Sequence, residues 1–375
     1  MLKHIVQKTK LQKELTEKEI KILLSQKKKE NVEMIFEAAR QVREKNFGNK
    51  VFLYGFVYFS TFCRNDCTFC YYRKSNAKLK RYRKTLQEIV EISVELKDTG
   101  VHLIDLTTGE DRYYNDHPEK LVEIVQEVKR AADLPVMISP GVLSHRAIDM
   151  LAEAGVDWYA LYQETHNKNL FQTLRIDQSY EGRYAAKEYA KSKGMLIEEG
   201  LLTGVGNQIE DTVSSFRAMK ELAAAQVRTM TFVPQEGTPF ENEKQPDFLS
   251  ELLQIAVMRL LFPNVLIPAS LDVDGRKGLE IRLKAGANVV TSIIPPKKGY
   301  AGVANSECDI DEGFRTVEGI RETLKVCGLE TAEPIEYQNW IRMQDDKNFN
   351  FGSKAAGNRS YLFIPKGGIP YNCSR

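Results

Sequence analysis

Two rhythms of apolar residues divide the chain. From residue 14 to 45 they recur at helical spacing, as Leu15, Ile20, Ile22 and Leu23, then Val32, Ile35, Phe36, Ala39 and Val42. From residue 51 short β-rich runs take over, at 51–59, 101–107, 134–139, 157–163, 195–204, 228–234, 264–270 and 287–294, separated by amphipathic stretches. The runs are hydrophobic almost throughout, as strands covered on both faces are. After the first run, Thr85-x-x-Glu88 reads as a capping box and Gly100 as the stop of the helix it opens. Strands alternating with crossover helices predict an α/β fold, a closed (β/α)8 TIM-type barrel rather than an open doubly wound sheet. Residues 1–50 are then an N-terminal helical cap over its lower face, and 51–330 the barrel itself. Residues 331–375, rich in Asn, Gly, Ser and Pro and without clear period, read as a tail that wraps the barrel or is partly mobile.

Composition narrows this little. With 375 residues, 42% of them apolar, the chain can bury a large core, and a net charge of +2 argues against a general nucleic-acid or membrane surface. The Lys-rich stretch 3–29 is interleaved with Glu14, Glu17 and Glu19 and has no apolar core, so it reads as a solvated helix face, not a targeting segment. The most apolar stretch, 252–262, is too short to span a bilayer and is interrupted by Arg259. A soluble, cytoplasmic protein is expected.

The cysteines change the picture. Three of the six fall within eight residues, as Cys63-x₃-Cys67-x₂-Cys70, directly after the first strand and so at the barrel face where such enzymes do their chemistry. Cys308, Cys327 and Cys373 lack mutual spacing and read as ordinary thiols. Three thiolates on one loop can ligate three corners of a 4Fe–4S cubane and leave the fourth iron open to an exogenous ligand. Phe69, inside the last Cys-x₂-Cys, is placed to stack on a flat heterocycle such as adenine. The competing reading is a zinc knuckle, for which no histidine lies within thirty residues of the cluster on either side.

The cysteine spacing resembles the motif of the radical S-adenosylmethionine (SAM) superfamily. The resemblance implies that SAM chelates the open iron and is cleaved to a deoxyadenosyl radical. It implies SAM contacts at Phe69, at Glu110 of Thr108-Gly109-Glu110, at Ser139, and at Glu164 and Arg183, the last two as in the biotin-synthase and hydrogenase-maturation clade. Gly204-Val205-Gly206-Asn207 reads equally as close backbone approach to a ligand or as a simple turn. From about residue 30 to 330 the likeness narrows. Asp105-Leu106-Thr107-x-Gly109-Glu110-Asp111, Met137-Ile138-Ser139-Pro140-Gly141, Ala160-Leu161-Tyr162-Gln163-Glu164-Thr165 and Ile267-Pro268-Ala269-Ser270-Leu271-Asp272 all look like the methylornithine synthase family. That resemblance implies a mutase of pyrrolysine biosynthesis converting L-lysine to (3R)-3-methyl-D-ornithine, with Arg228 clamping the substrate carboxylate and Asp105, Ser270 and Asp272 meeting its amines. A reductant protein such as flavodoxin or ferredoxin would supply electrons. Sulfur-inserting chemistry like that of biotin synthase, and a cluster-bearing scaffold without turnover, remain as alternatives.

Overall fold

The computed structural model describes residues 1–11, 13–295 and 315–352. Each predicted run overlaps a strand: β1 (Lys50–Ser60), β2 (Leu103–Thr108), β3 (Val136–Ser139), β4 (Trp158–Ala160), β5 (Leu196–Thr203), β6 (Gln226–Thr231), β7 (Pro268–Ser270) and β8 (Val289–Ile293). All pair in parallel, in the order β6-β5-β4-β3-β2-β1-β8-β7. The two ends of that path meet where Gln226 bridges Leu266, Val227 N–H donating to Leu266 O (3.0 Å) and Leu266 N–H to Ala225 O (3.1 Å). The ring thus closes at its lower rim as a TIM-type barrel. The helix Leu86–Asp98 starts on the Thr85–Glu88 capping box, and Gly100 follows its end at φ 91°.

Strand β1 shows how one sequence serves both ends of the barrel. Alternate residues point to alternate faces, and Phe56 and Tyr58 line a cavity at the upper mouth. Two and four residues earlier on the same face, Tyr54 and Phe52 meet the element that plugs the bottom. That element comes from the first part of the stretch read as a tail, whose residues 353–375 lie outside the described residues. Residues 330–331 pair with β1 at Lys50 and Val51, and Pro334–Gly352 is a helix. Tyr337 hydrogen-bonds the Tyr54 hydroxyl (2.8 Å), and Trp340 stacks on Trp158 with rings 5.8 Å apart and 4° from parallel. The Trp340 indole N–H donates to Asn264 O (3.2 Å). Two aromatics three residues apart among polar neighbours give too weak a helical period to read, because this helix buries one end of a barrel and not a whole stripe.

The leader forms three helices, Leu2–Lys10, Glu17–Leu24 and Lys29–Phe47, and packs on the outer helices Ile209–Leu222 and Leu249–Leu261. It touches the lower rim through Arg43, whose guanidinium donates to Leu283 O (2.5 Å) and Ala287 O (3.0 Å). Arg259, the residue that breaks the most apolar stretch, is buried and donates to the carbonyls of Pro263, Val265 and Gly286. No helix among the described residues is long and apolar enough to cross a membrane. Cys308 and Cys373 lie outside the described residues, and Cys327 is a free thiol at the end of the helix Val317–Val326. If the helix Pro334–Gly352 closes the barrel, Trp340→Ala removes a buried aromatic and costs about 3–5 kcal/mol. Calorimetry should show a lowered unfolding midpoint; an unchanged one would mean the lower mouth is sealed elsewhere.

Candidate active site

The loop after β1 is pinned from several sides before it presents its cysteines. Gly109 N–H donates to Ser60 O (3.1 Å), Arg64 N–H to Glu110 O (2.9 Å) and Thr68 N–H to Leu174 O (2.9 Å). The Ser60 hydroxyl donates to Asp111 Oδ2 (2.7 Å), which Arg83 Nε also grips (3.0 Å). Gly109 packs so closely that a β-carbon there would sit 2.3 Å from Phe62 O and 3.0 Å from Cys63 Cβ. Thus held, Cys63, Cys67 and Cys70 all line one cavity of about 1260 Å³, its open mouth included. Burial, with the neighbouring cysteine sulfurs adding to it, pushes the Cys63 and Cys70 thiols up. A bound metal would reverse that, since coordination deprotonates a thiol. Among the described residues no three His, Cys, Asp or Glu side chains converge on one ion-sized point, and no histidine is among the cavity's lining residues.

Phe69, Asp105, Glu110, Ser139, Glu164, Arg183, Arg228 and Asp272 line the same cavity. Ser270 stands one layer behind, its hydroxyl donating to Asp272 Oδ2 (3.3 Å). The carboxylates are met by arginines, two of which no motif revealed. Glu164, held at φ 65°, accepts from Arg175 Nη2 (2.5 Å). Arg228 Nε donates to Glu198 Oε1 (2.8 Å), whose other oxygen takes the Tyr162 hydroxyl (2.9 Å). Arg315 Nη2 donates to Asp272 Oδ1 (2.5 Å), which also receives Tyr58 OH (3.4 Å). Glu110 accepts from Arg64 Nε (2.7 Å), Asn65 Nδ2 (3.0 Å) and Val142 N–H (3.1 Å), with Arg183 Nη1 3.8 Å away.

Glu198 did leave a signal, in two adjacent carboxylates inside an otherwise apolar strand. Period two sends them apart: Glu198 turns inward to Arg228, while Glu199 turns outward to pair with the buried Lys187. Arg175 and Arg315 left none, because an arginine outside a motif is by default a surface residue. The 204–207 segment resolves as a turn. Gly204 N–H donates to the Asn207 side chain (3.0 Å), and a β-carbon at Gly204 would meet Pro246, 2.1 Å away.

Several of these buried groups keep one atom with no hydrogen bond: Asp105 Oδ2, Glu164 Oε2, Arg175 Nε, Arg183 Nη1, Arg228 Nη2 and Arg315 Nη1. Burial and the nearby Glu198 push the Asp105 carboxyl up to about 7, although Thr107 and Ser139 donate to its other oxygen at 2.8 and 3.1 Å. Burial, then Arg175, brings the Arg183 guanidinium down to about 10. Orphaned charged atoms of both signs around one cavity are what a zwitterionic ligand would satisfy.

Comparison with known proteins agrees. Residues 57–218 match the radical SAM superfamily. Over 329 residues the chain is 47% identical to 3-methylornithine synthase of Methanosarcina acetivorans, covering 88% of this chain and 94% of that one. The chain belongs to the 3-methylornithine synthase family. A crystal structure of methylornithine synthase superposes with a TM-score of 0.86 at 45% identity, over 90% of this chain and 99% of that one. The [FeFe] hydrogenase maturase subunit HydE of Thermotoga maritima is 35% identical over 74% of this chain and 80% of its own length.

As a radical SAM enzyme the protein uses a 4Fe–4S cluster and SAM. The residues fit both: three thiols on one pinned loop for the cubane, and beside them unpartnered carboxylate and guanidinium atoms for a ligand with an amino-acid end and a ribose. Because close-packed backbone cannot yield by an ångström, Gly109→Ala should cut the iron and sulfide retained after anaerobic reconstitution to roughly half or less. Wild-type retention would show that the cysteine loop is not held from this side.

Proposed function

We propose that the protein converts L-lysine to (3R)-3-methyl-D-ornithine in pyrrolysine biosynthesis, as a radical SAM mutase. One observation carries the reading. Arg228 Nη2 and Asp105 Oδ2, of opposite charge, both buried and both without a hydrogen bond, border one cavity in a chain 47% identical to a 3-methylornithine synthase. A diamino acid needs a cation for its carboxylate and acceptors for two ammonium groups.

In this reading Cys63, Cys67 and Cys70 hold the cluster, and Phe69, Glu110, Ser139, Glu164 and Arg183 surround SAM. Together the bound cofactors supply a hydrogen-abstracting deoxyadenosyl radical. The chain's own residues do the rest. Arg228, fixed at Nε by Glu198, offers Nη2 to the substrate carboxylate, the forked geometry that a guanidinium allows. Asp105, anchored through Oδ1 by Thr107 and Ser139, offers Oδ2 to an ammonium. Asp272, backed by Ser270 and Arg315, bounds the cavity on the β7 side. Anchors at both ends keep carbon fragments from separating between cleavage and recombination, and the apolar wall of Leu202, Phe232 and Val273 excludes water. A flavodoxin or ferredoxin supplies the electron.

The test is anaerobic incubation with L-lysine, SAM and dithionite, followed by chiral separation, since substrate and product are isomers. Methylornithine should accumulate without net consumption of SAM, and its absence from cluster-loaded protein refutes the reading. Arg228→Ala should lose about 3 kcal/mol of binding, roughly a hundredfold in kcat/KM for lysine, while reductive cleavage of SAM persists. Unaltered kinetics would remove Arg228 from the site.

The raised carboxyl of Asp105 sets a pH dependence. Below about 7 it is protonated and carries no charge for an ammonium; above, it is ionised and attracts one. Lysine binding should therefore tighten as pH rises from roughly 6 to 8 and then level off. Asp105→Asn should weaken binding and flatten the profile. Calorimetric titration of the anaerobic holoenzyme gives both, and a flat wild-type profile would contradict the assignment.

A further inference from the structure

The turn after the helix Lys168–Leu174 faces the cysteine loop. The two are docked by Thr68, whose backbone N–H donates to Leu174 O (2.9 Å) and whose hydroxyl reaches Thr173 O (3.3 Å). The turn is short and stiff: Arg175 N–H caps the helix on Phe171 O (2.7 Å), Gln178 N–H returns to Arg175 O (3.2 Å), and Asp177 between them sits at φ 61°. Two of its side chains converge on one buried sulfur. Gln178 Nε2 lies 3.1 Å from Cys67 Sγ and Arg175 Nη1 3.5 Å. The second guanidinium nitrogen of Arg175 is on Glu164, and its Cζ lies 5.6 Å from the centre of the Phe69 ring. The same arginine therefore touches the sulfur, a carboxylate of the proposed SAM pocket and the aromatic inside the Cys-x₂-Cys.

We propose that Arg175 and Gln178 are positioning residues that raise the reduction potential of the cluster through the Cys67 sulfur. This rests on Cys67 being a cluster ligand. Reduction adds an electron to the cluster and its thiolates. An N–H donor on a ligand sulfur stabilises the more negative state and makes reduction easier. Burial strengthens the effect, because little water screens the guanidinium charge. Lysine could not replace Arg175, since one ammonium cannot address Cys67 and Glu164 in two fixed directions.

The experiment reconstitutes the full chain anaerobically, measures iron and sulfide, and follows the reduced cluster by electron paramagnetic resonance through a redox titration without lysine. Gln178→Leu and Arg175→Lys should each lower the midpoint, cutting the reduced-to-oxidised ratio at fixed potential about tenfold, ~59 mV for a one-electron couple. Gln178→Glu, similar in size but repelling the sulfur, should lower it further. Cluster-loaded variants that titrate with the wild type overturn the proposal. Should Arg175→Lys fail to retain its cluster, the two Gln178 variants decide. A wild-type chain that takes up no iron overturns the cluster reading, and this proposal with it.

Discussion

Four arginine–carboxylate pairs ring the upper mouth of the barrel: Arg64 with Glu110, Arg175 with Glu164, Arg228 with Glu198, and Arg315 with Asp272. Both members of the Arg175 and Arg228 pairs are buried, as are Glu110 and Arg315. Removing such ions from water costs several kcal/mol each, and pairing restores only part of it. The barrel can carry this load because β1 to β8, their helices and the closing bottom helix supply a large apolar core beneath. The pairs are also incomplete. Arg175, Arg228 and Arg315 each spend part of a guanidinium on a neighbouring carboxylate and keep one nitrogen free of any hydrogen bond. A mouth built this way is ordered before its ligands arrive, and a polar ligand gains contacts without having to organise the groups that make them.

The same constraint explains why supports are shared between sites. Asp111 ties β1 to β2 through Ser60 and Arg83 and so fixes where the cysteine loop starts. Glu110, one residue earlier, fixes the loop's middle through Arg64 and Asn65. Strand β5 contributes Glu198 inward and Glu199 outward, and Glu199 reaches back to the Gln163 and Gly200 backbone amides. The strained backbone of Glu164 is therefore bracketed by hydrogen bonds to β5, with its N–H on Gly200 O and its carbonyl accepting from Leu202. A left-handed conformation at a non-glycine residue persists when its surroundings over-determine it, and such positions gather at functional sites.

In the proposed reaction, selectivity comes from placing charge at both ends of a flexible substrate. Arg228 and Asp105 are each anchored through one atom and open through another, so the cavity can hold a zwitterion by its two ends while the carbon chain lies along Leu202, Phe232 and Val273. The same cavity is lined by the cysteine loop and by these anchors, so in this reading ligand and cofactor share one space. Arg175, reaching from the SAM-pocket carboxylate to the Cys67 sulfur, ties the two halves of that space together.

The sequence alone determined the barrel, since strand runs and amphipathic helices are local patterns of burial that survive without knowledge of the partner. It determined the cysteine loop too, because Cys63, Cys67 and Cys70 are neighbours along the chain. The candidate residues Asp105, Glu110, Ser139, Glu164, Arg183, Arg228, Ser270 and Asp272 were legible through motif likeness at strand ends, where parallel topology gathers side chains at one face. Tertiary structure alone decided who meets whom. Glu198 and Arg228 are thirty residues apart, Asp272 and Arg315 forty-three, and Cys67 and Arg175 one hundred and eight; no local pattern encodes such pairs, because closure of the ring creates them. The seating of Tyr337 and Trp340 in the lower mouth has the same origin. Whether an apolar face covers a helix layer or a barrel end depends on what surface is left open once the ring has closed.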